Sequence, residues 1–432
     1  MTLLERVFKL EEHQTSVRTE VIAGVTTFLT MAYIIFVNPN ILGEAGMPKD
    51  AVFVVTCLAA ALGTFIMAIY ANYPIALAPG MGLNAFFTFT VVMQLHYTWE
   101  AALGMVFISG CLFLFVTVTG IRSIIIDGIP ESLRGAIAAG IGLFLGFIAL
   151  KSAGIVVTSK ATSVTLGNLD QASVVLASIG FIVIVALDKA KIPGAILIGI
   201  VLVTIASFFF GNQFHGVLSH PPSIAPTFLK LDLKGALSHG FFNVVLVFFL
   251  VELFDATGTL MGVAKRAGLL VPERIGRLHK SLFADSLAIF FGSLLGTSST
   301  TAYAESAAGV QAGGRTGLTA LTVAILFLLA LFFAPLAGAV PEYATAPALL
   351  FVCCIMAREL ANIDWDDITE SVPAVLTAIM MPLTYSIANG LAFGFISYAG
   401  IKLLSGRARE VRWVTWVIAI VFLFRFYYVG AE

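Results

Sequence analysis

Charged side chains are scarce in this chain. They make up 11% of 432 residues, against 59% hydrophobic ones, and mean hydropathy is +0.99. A soluble domain carries about 25% charged residues, so an ordinary water-soluble globule is excluded. The charges nearly cancel, to −1, and no basic stripe runs along the chain, so nucleic acid is not a partner. Cysteine is almost missing. Cys57, Cys111, Cys353 and Cys354 lie in apolar runs without metal-ligand spacing and read as packing residues. His13, His96, His215, His220, His239 and His279 fall in tails, loops or run ends, none paired at a metal-binding spacing, and read as surface residues. No metal or cofactor is expected. No His-Glu-x-x-His motif or nucleophile–base pair is present, which argues against an enzyme. A cleavable signal peptide is lacking too, because Met1 to Arg18 is charged and amphipathic.

What remains is a succession of long apolar runs. They fall near 20–42, 51–71, 75–94, 98–119, 130–150, 170–187 and 192–210, and after a polar linker near 238–262, 281–296, 300–312, 316–340, 344–360, 372–387, 388–404 and 411–428. At roughly 20 residues per membrane crossing, this is an all-α polytopic membrane protein of about fourteen spans, two of the last runs forming one broken element or a short hairpin. The lipid bilayer is therefore a partner. Arg6, Lys9 and Arg18 precede the first run, Lys265, Arg266, Arg274, Arg277 and Lys280 share one loop with a single acid, Glu273, and Lys402, Arg407, Arg409 and Arg412 share another. With fourteen spans these all lie on one side, which places the amino terminus in the cytoplasm. Ile129-Pro-Glu-Ser-Leu133 and Ile368-Thr-Glu-Ser-Val372 open two runs as a weak internal echo. Gly142-Leu-Phe-Leu-Gly146 is a close-packing motif. Asp364, Asp366 and Asp367 read as a solvated acidic loop. Gly313-Gly-Arg-Thr-Gly317 resembles a phosphate loop only superficially, lacking its Lys-Ser/Thr ending and its preceding strand.

Two runs are interrupted. Ala76-Leu-Ala-Pro-Gly-Met-Gly-Leu-Asn-Ala-Phe-Phe87 and Gly296-Thr-Ser-Ser-Thr-Thr-Ala-Tyr-Ala-Glu-Ser-Ala307 place helix breakers or hydroxyls before one strong polar side chain, Asn84 or Glu305. Irregular backbone at membrane depth persists only where protein buries it or it lines a cavity. A pair of such breaks, one per half, points to the binding site of a secondary transporter. An odd number of spans per half would invert the second repeat. A carboxylate at the bilayer centre costs on the order of 2.5–3.5 kcal/mol, yet Glu252 and Asp255 share one helix face, and Glu305 follows the second break. Such acids accept N–H donors strongly when ionised, Asn84 offers donor and acceptor, and Phe86, Phe87, Phe254 and Tyr303 are candidates to stack a flat ring. The chemistry suits a neutral, hydrogen-bonding substrate moved with a cation. A channel would need a continuous polar lining, and an anion carrier a positive or neutral site.

Four motifs in order carry a resemblance. Arg18-Thr-Glu-Val-Ile-Ala-Gly-Val-Thr-Thr-Phe-Leu-Thr-Met-Ala-Tyr33, the Ala-Pro-Gly-Met-Gly-Leu-Asn-Ala-Phe-Phe stretch, Glu-Leu-Phe-Asp-Ala-Thr-Gly-Thr-Leu and Gly-Thr-Ser-Ser-Thr-Thr-Ala-Tyr-Ala-Glu-Ser are similar to the AzgA-like purine permease branch of the nucleobase:cation symporter-2 family. The resemblance spans essentially the whole chain. It implies the uracil-permease fold, fourteen spans in two inverted repeats of seven, with short strands in spans 3 and 10. It also implies a core domain from residues 1–120 (spans 1–4) and 236–340 (spans 8–11), and a gate domain from 121–235 (spans 5–7) and 341–432 (spans 12–14). Asp255 and Glu305 match the family's substrate and proton acids. Asn84 matches the polar residue of span 3, Glu252 a variable position, and Ala302 a position shaping the pocket; Tyr303 and Phe87 complete the expected substrate site. The implied activity is import of adenine, guanine or hypoxanthine by proton symport across a bacterial inner membrane, with core moving against gate and a homodimer formed through the gate. Uracil or xanthine as substrate, sodium as coupling ion, and more distantly an anion on the same fold, are the alternatives. The last apolar run has no place in this scheme.

Overall fold

The structure, a computed structural model, describes residues 3–214, 216–237, 241–266 and 275–429. His215, His239, Glu273 and Arg274 lie outside the described residues. Apolar runs become helices because a helix closes its own backbone hydrogen bonds where lipid provides none. Hydroxyls mark several starts: Ser16 accepts from the Thr19 amide, Thr98 from Ala101, Thr316 from Leu318 and Ser386 from Asn389.

A short helix, α1 (Leu3–Phe8), precedes a first span divided into α2 (Val17–Met31) and α3 (Ile34–Glu44). α4 (Lys49–Ile66) continues through a π-helical turn, Met67–Ala71. The third span joins strand β1 (Leu77–Pro79), α5 (Met81–Ala85) and a π-helical stretch, Phe86–Gln94. Then come α6 (Trp99–Val118), α7 (Ile121–Asp127) and α8 (Glu131–Ser152), a hairpin of β2 (Val156–Ser159) and β3 (Ser163–Leu166), α9 (Ala172–Lys189) and α10 (Ala195–Ser207). After the linker and α11 (Leu233–Ala236) follow α12 (Phe241–Arg266), α13 (Ile275–Leu295), β4 (Thr300–Ala302) with α14 (Ser306–Gln311), α15 (Gly317–Ala330) and α16 (Ala334–Gly338). The last four are α17 (Glu342–Met356), α18 (Ile368–Leu383), α19 (Ile387–Leu404) and α20 (Trp413–Val429). Eight helices among the described residues are long and apolar enough to cross a membrane, and shorter apolar helices add to them.

The packing repeats itself. α4 lies on α15 as α13 lies on α6, α9 on α17 as α18 on α8, and α10 on α17 as α19 on α8, while α4 meets α13 and β1 meets β4. The repeat therefore pairs α2–α3 with α12, α4 with α13, β1–α5 with β4–α14, α6 with α15, α8 with α17, α9 with α18 and α10 with α19. This corrects the five-residue echo: residues 129–133 open α8 and 368–372 open α18, which are not partners in the repeat. The unplaced last run is α20, outside the repeat, packed on α19 and tied by Thr415 Oγ1 to the Gly128 carbonyl at 2.8 Å. α18 and α19 pack as an antiparallel hairpin, but each fills its own place in the repeat, so the fourteen positions are complete without joining two of the last runs and α20 is additional.

Four sequence features acquire definite roles. A Cβ at Gly142 would lie 2.5 Å from Met356 Cβ, and one at Gly146 2.6 Å from Cys353 Sγ, so the glycine pair lets α8 and α17 approach closely. The glycine-rich 313–317 turn wraps a carboxylate of this chain. Glu20, fully buried, accepts from the amides of Arg315 (2.9 Å), Thr316 (3.2 Å) and Thr319 (3.2 Å) and from Thr319 Oγ1 (2.6 Å), satisfying the free donors at the start of α15. Asp367 is not simply solvated: it caps α18 and pairs with Arg407 at 2.6 Å. Nor is His13 a surface residue, being 9% exposed and set against Arg277 Nη1 at 3.3 Å.

Candidate functional site

The two breaks meet. β1 and β4 pair antiparallel, with Leu77 opposite Ala302, Ala78 opposite Thr301 and Pro79 opposite Thr300. The Gly80 amide donates to the Ser299 carbonyl (2.9 Å) and the Tyr303 amide to the Ala76 carbonyl (3.0 Å), extending the ladder at both ends. Hydroxyls satisfy what is left. Thr64 Oγ1 serves both polar groups of Leu77, at 2.9 and 3.0 Å, and Ser306 Oγ accepts from the Ala76 amide at 3.0 Å. Non-helical backbone is thereby paid for inside protein, as membrane depth requires. Gly80 is needed for the crossing, since a Cβ there would stand 2.9 Å from Thr301 Cγ2.

Asp255 and Glu305 flank this crossing, and both residues keep an accessible part, as does the neighbouring Ala304. The Asp255 carboxylate lies above Gly80, with Oδ2 3.6 Å from where a Cβ would be, and accepts no hydrogen bond from the described residues. Glu305 immediately precedes α14, and its Oε1 accepts from the Tyr33 hydroxyl at 2.5 Å. The two carboxylates are near enough to feel each other's charge. An acceptor pair beside a backbone crossing, with no internal donor on one of them, can receive N–H groups from a flat, neutral ligand.

The other expected site residues stand differently. Asn84 is fully buried: its Nδ2 donates to Asn38 Oδ1 at 2.5 Å, and its Oδ1 accepts from Ser298 Oγ. Asn38 in turn donates to Thr56 Oγ1 (2.7 Å) and Thr297 Oγ1 (3.1 Å). Both ends of the Asn84 amide therefore join spans within the protein, and in this conformation neither faces a ligand. Glu252 has no accessible surface and accepts from Ser109 Oγ of α6 at 2.8 Å; one turn along the helix from Asp255, it faces α6. Phe87 is enclosed in the core, as is Phe86 against Phe248, rings 4.9 Å apart. Tyr303 is 5% exposed, and its hydroxyl donates to the Pro79 carbonyl at 2.6 Å. Ala302 closes β4 and is buried, and a turn leads from it through Glu305 into α14.

Sequence reasoning missed a polar layer behind the crossing. Asp285 of α13, fully buried, accepts from the Ala302 amide (3.1 Å) and Thr301 Oγ1 (3.3 Å), anchoring β4. Arg122 of α7 donates to Thr257 Oγ1 from Nε (3.2 Å) and Nη2 (2.9 Å) and covers the Phe113 ring at 4.4 Å. Its charge reaches Asp285 and Glu252. The signal for Asp285 was present: an acid inside Ser281-Leu-Phe-Ala-Asp-Ser-Leu287 is as costly there as Asp255 is in its own run. Tyr33 carried no such signal, because a tyrosine in an apolar run is ordinary.

The profile of the permease family matches residues 18–393. The chain belongs to this family. It is 50% identical over 433 residues to a putative permease, MJ0326, of Methanocaldococcus jannaschii, covering 100% of this chain and 99% of the relative. It is 48% identical to the adenine permease AdeP of Escherichia coli, over 100% of this chain and 97% of that one. Against the guanine/hypoxanthine permease PbuO of Bacillus subtilis, identity is 44% over 98% of this chain and 100% of the relative. Among solved structures, the transmembrane domain of the cyanobacterial bicarbonate transporter BicA superposes with a TM-score of 0.67 at 16% identity, covering 86% of this chain and 97% of that domain. The anion transporter Slc26a9, from mouse, superposes with a TM-score of 0.63 at 11% identity, over 90% and 68%. Those two likenesses concern fold alone. This permease is a multi-pass membrane protein of the AzgA-like branch, as its motifs imply.

Proposed function

We propose that this permease imports a purine nucleobase (adenine, guanine or hypoxanthine) together with a proton. The observation that carries the reading is the pair Asp255 and Glu305, the accessible acids beside two crossed, broken spans. A purine presents N–H groups in one plane, and the crossing leaves two carboxylates to accept them. Similarity to the adenine permease AdeP and the guanine/hypoxanthine permease PbuO supports a purine. The acids disfavour an anion, although carriers of anions share the fold.

Glu305 and Asp255 are the proton-coupling groups. Protonation lowers the charge of the site by one and the N–H groups of the purine satisfy the remaining carboxylate, so the loaded core crosses the bilayer with a smaller desolvation cost than the empty, doubly charged one. The moving core comprises residues 1–120 and 236–340 and the gate 121–235 and 341–432. In support, α8, α9, α10, α17, α18 and α19 pack chiefly on one another, while α4 and α13 pack on the strands and α15 and α6 pack on α4 and α13. The amino terminus is cytoplasmic in a bacterial inner membrane, and homodimers form through the gate. Asn84 and Glu252 serve the site from behind, Asn84 by joining spans and Glu252 by charge.

The test is uptake of labelled adenine, guanine, hypoxanthine and uracil into proteoliposomes, with and without an inward proton gradient. Accumulation of a purine that an uncoupler collapses, and that sodium does not alter, is the expected result. Uptake of none of the four by folded protein would remove the substrate reading.

A further inference from the structure

The first span breaks at Ala32–Tyr33, where helix α2 ends and α3 begins. Tyr33 is wholly buried at that break, and its hydroxyl donates to Glu305 Oε1 at 2.5 Å. One turn earlier, Thr30 Oγ1 donates to the Thr27 carbonyl at 2.8 Å and lies 3.4 Å from the Glu305 backbone carbonyl oxygen. The first span thus touches both the side chain and the main chain of Glu305, and α14 packs against α2 along its length.

A carboxylate held by one donor cannot rotate freely. With Oε1 bound to Tyr33, Oε2 is the oxygen left for a ligand, and its direction is fixed before the ligand arrives. A charge-assisted hydrogen bond of this kind is roughly twice as strong as a neutral one, and preorganisation lowers the ordering cost of binding.

We propose that Tyr33 is a positioning residue for the substrate site: it orients the Glu305 carboxylate toward the nucleobase. The inference rests on the reading of Glu305 as a substrate ligand. Tyr33 itself touches no substrate and acts through Glu305.

The experiment is equilibrium binding of the labelled purine that the uptake assay selects, in detergent, to four proteins: unaltered, Tyr33→Phe, Glu305→Gln and the double variant. Tyr33→Phe keeps the ring that fills the break and removes only the donor. The expected result is a Kd about tenfold higher for Tyr33→Phe, from loss of a bond to a charged group. In the Glu305→Gln background the same change costs about twofold or less, because the bond there is neutral. Equal losses in both backgrounds would assign Tyr33 to packing and overturn the proposal. As a second variant, 3,5-difluorotyrosine at position 33 is a stronger donor of the same shape, and is expected to tighten binding. Unchanged or weaker binding there counts against the inference. Absence of purine binding to the unaltered protein would instead remove the substrate reading beneath it.

Discussion

Asp255 and Glu305 hold the same functional group in unlike surroundings, and different behaviour follows. Asp255 receives no donor from the described residues, so Asp255→Asn removes no internal bond. Its melting temperature is expected to match that of the unaltered protein, while purine affinity falls ten- to a hundredfold, the range for losing a hydrogen bond to a charged acceptor. Calorimetry and a binding isotherm on the same preparation separate the two effects. Glu305→Gln retains shape and loses the exchangeable charge. Counterflow of labelled purine should persist and proton-driven accumulation should vanish; concentrative uptake by this variant would refute its coupling role. Glu20 is the contrasting case, an acid with four internal donors. Glu20→Ala leaves the start of α15 without its acceptor and should destabilise the fold by about 2–3 kcal/mol, read as a lowered unfolding temperature.

The broken spans are the elements that a linear reading finds most readily. Pro79, Gly80 and the hydroxyl run 297–301 cannot continue a helix cheaply in lipid, so their location needs no structure. Their mutual pairing does, because register depends on which backbone groups two distant segments offer each other. Gly80→Ala would push a methyl against Thr301 Cγ2, and its expected effect is loss of transport with the protein still inserted and monodisperse. The α18–α19 hairpin shows the opposite situation. Its ends are joined by charges: Arg407 pairs with Asp367 (2.6 Å) and Glu410 (2.7 Å), and buried Lys402 pairs with Glu370 (2.8 Å) and Glu410 (2.9 Å). Hydrogen bonds from Thr369 and then Arg407 hold the Asp367 carboxyl well below the usual carboxylate range, and Arg407 and Lys402 lower Glu410. A lowered folded-state value means that the stabilisation is complete above the unfolded value of about 4 and is lost as pH falls through and below it. Unfolding temperature measured from pH 6 down to pH 3 should therefore fall, and Asp367→Asn should flatten part of that slope. An identical slope in the variant would show that Asp367 contributes none of it.

For the molecule as a whole, the proposed motion of core against gate requires contacts that open. Thr90, at the end of the third span, donates to the Tyr385 carbonyl in the α18–α19 turn at 3.3 Å, across that proposed boundary. Cysteines at both positions, in protein whose four natural cysteines are replaced, should abolish uptake when bridged by a bifunctional thiol reagent, with purine binding kept. Full uptake after complete bridging would exclude relative motion at this boundary. The succession of spans follows from composition and periodicity, because lipid leaves a polar backbone few choices: helix lengths, helix ends, the need to bury the two interruptions and the cost of acids at the centre are all local consequences of that solvent. Which acids face a ligand is not local. Glu252 and Asp255 sit three residues apart on one helix, yet one is sealed against Ser109 and the other open above Gly80. Asn84, the polar residue most prominent in its motif, has both amide ends engaged by Asn38 and Ser298. Tyr33 reaches Glu305 from the first span, 272 residues away, Arg122 reaches Thr257 from α7, and Asp285 anchors β4 from the preceding span. Burial and hydrogen-bond partnership are set by neighbours brought in from other spans, and no single segment holds that information.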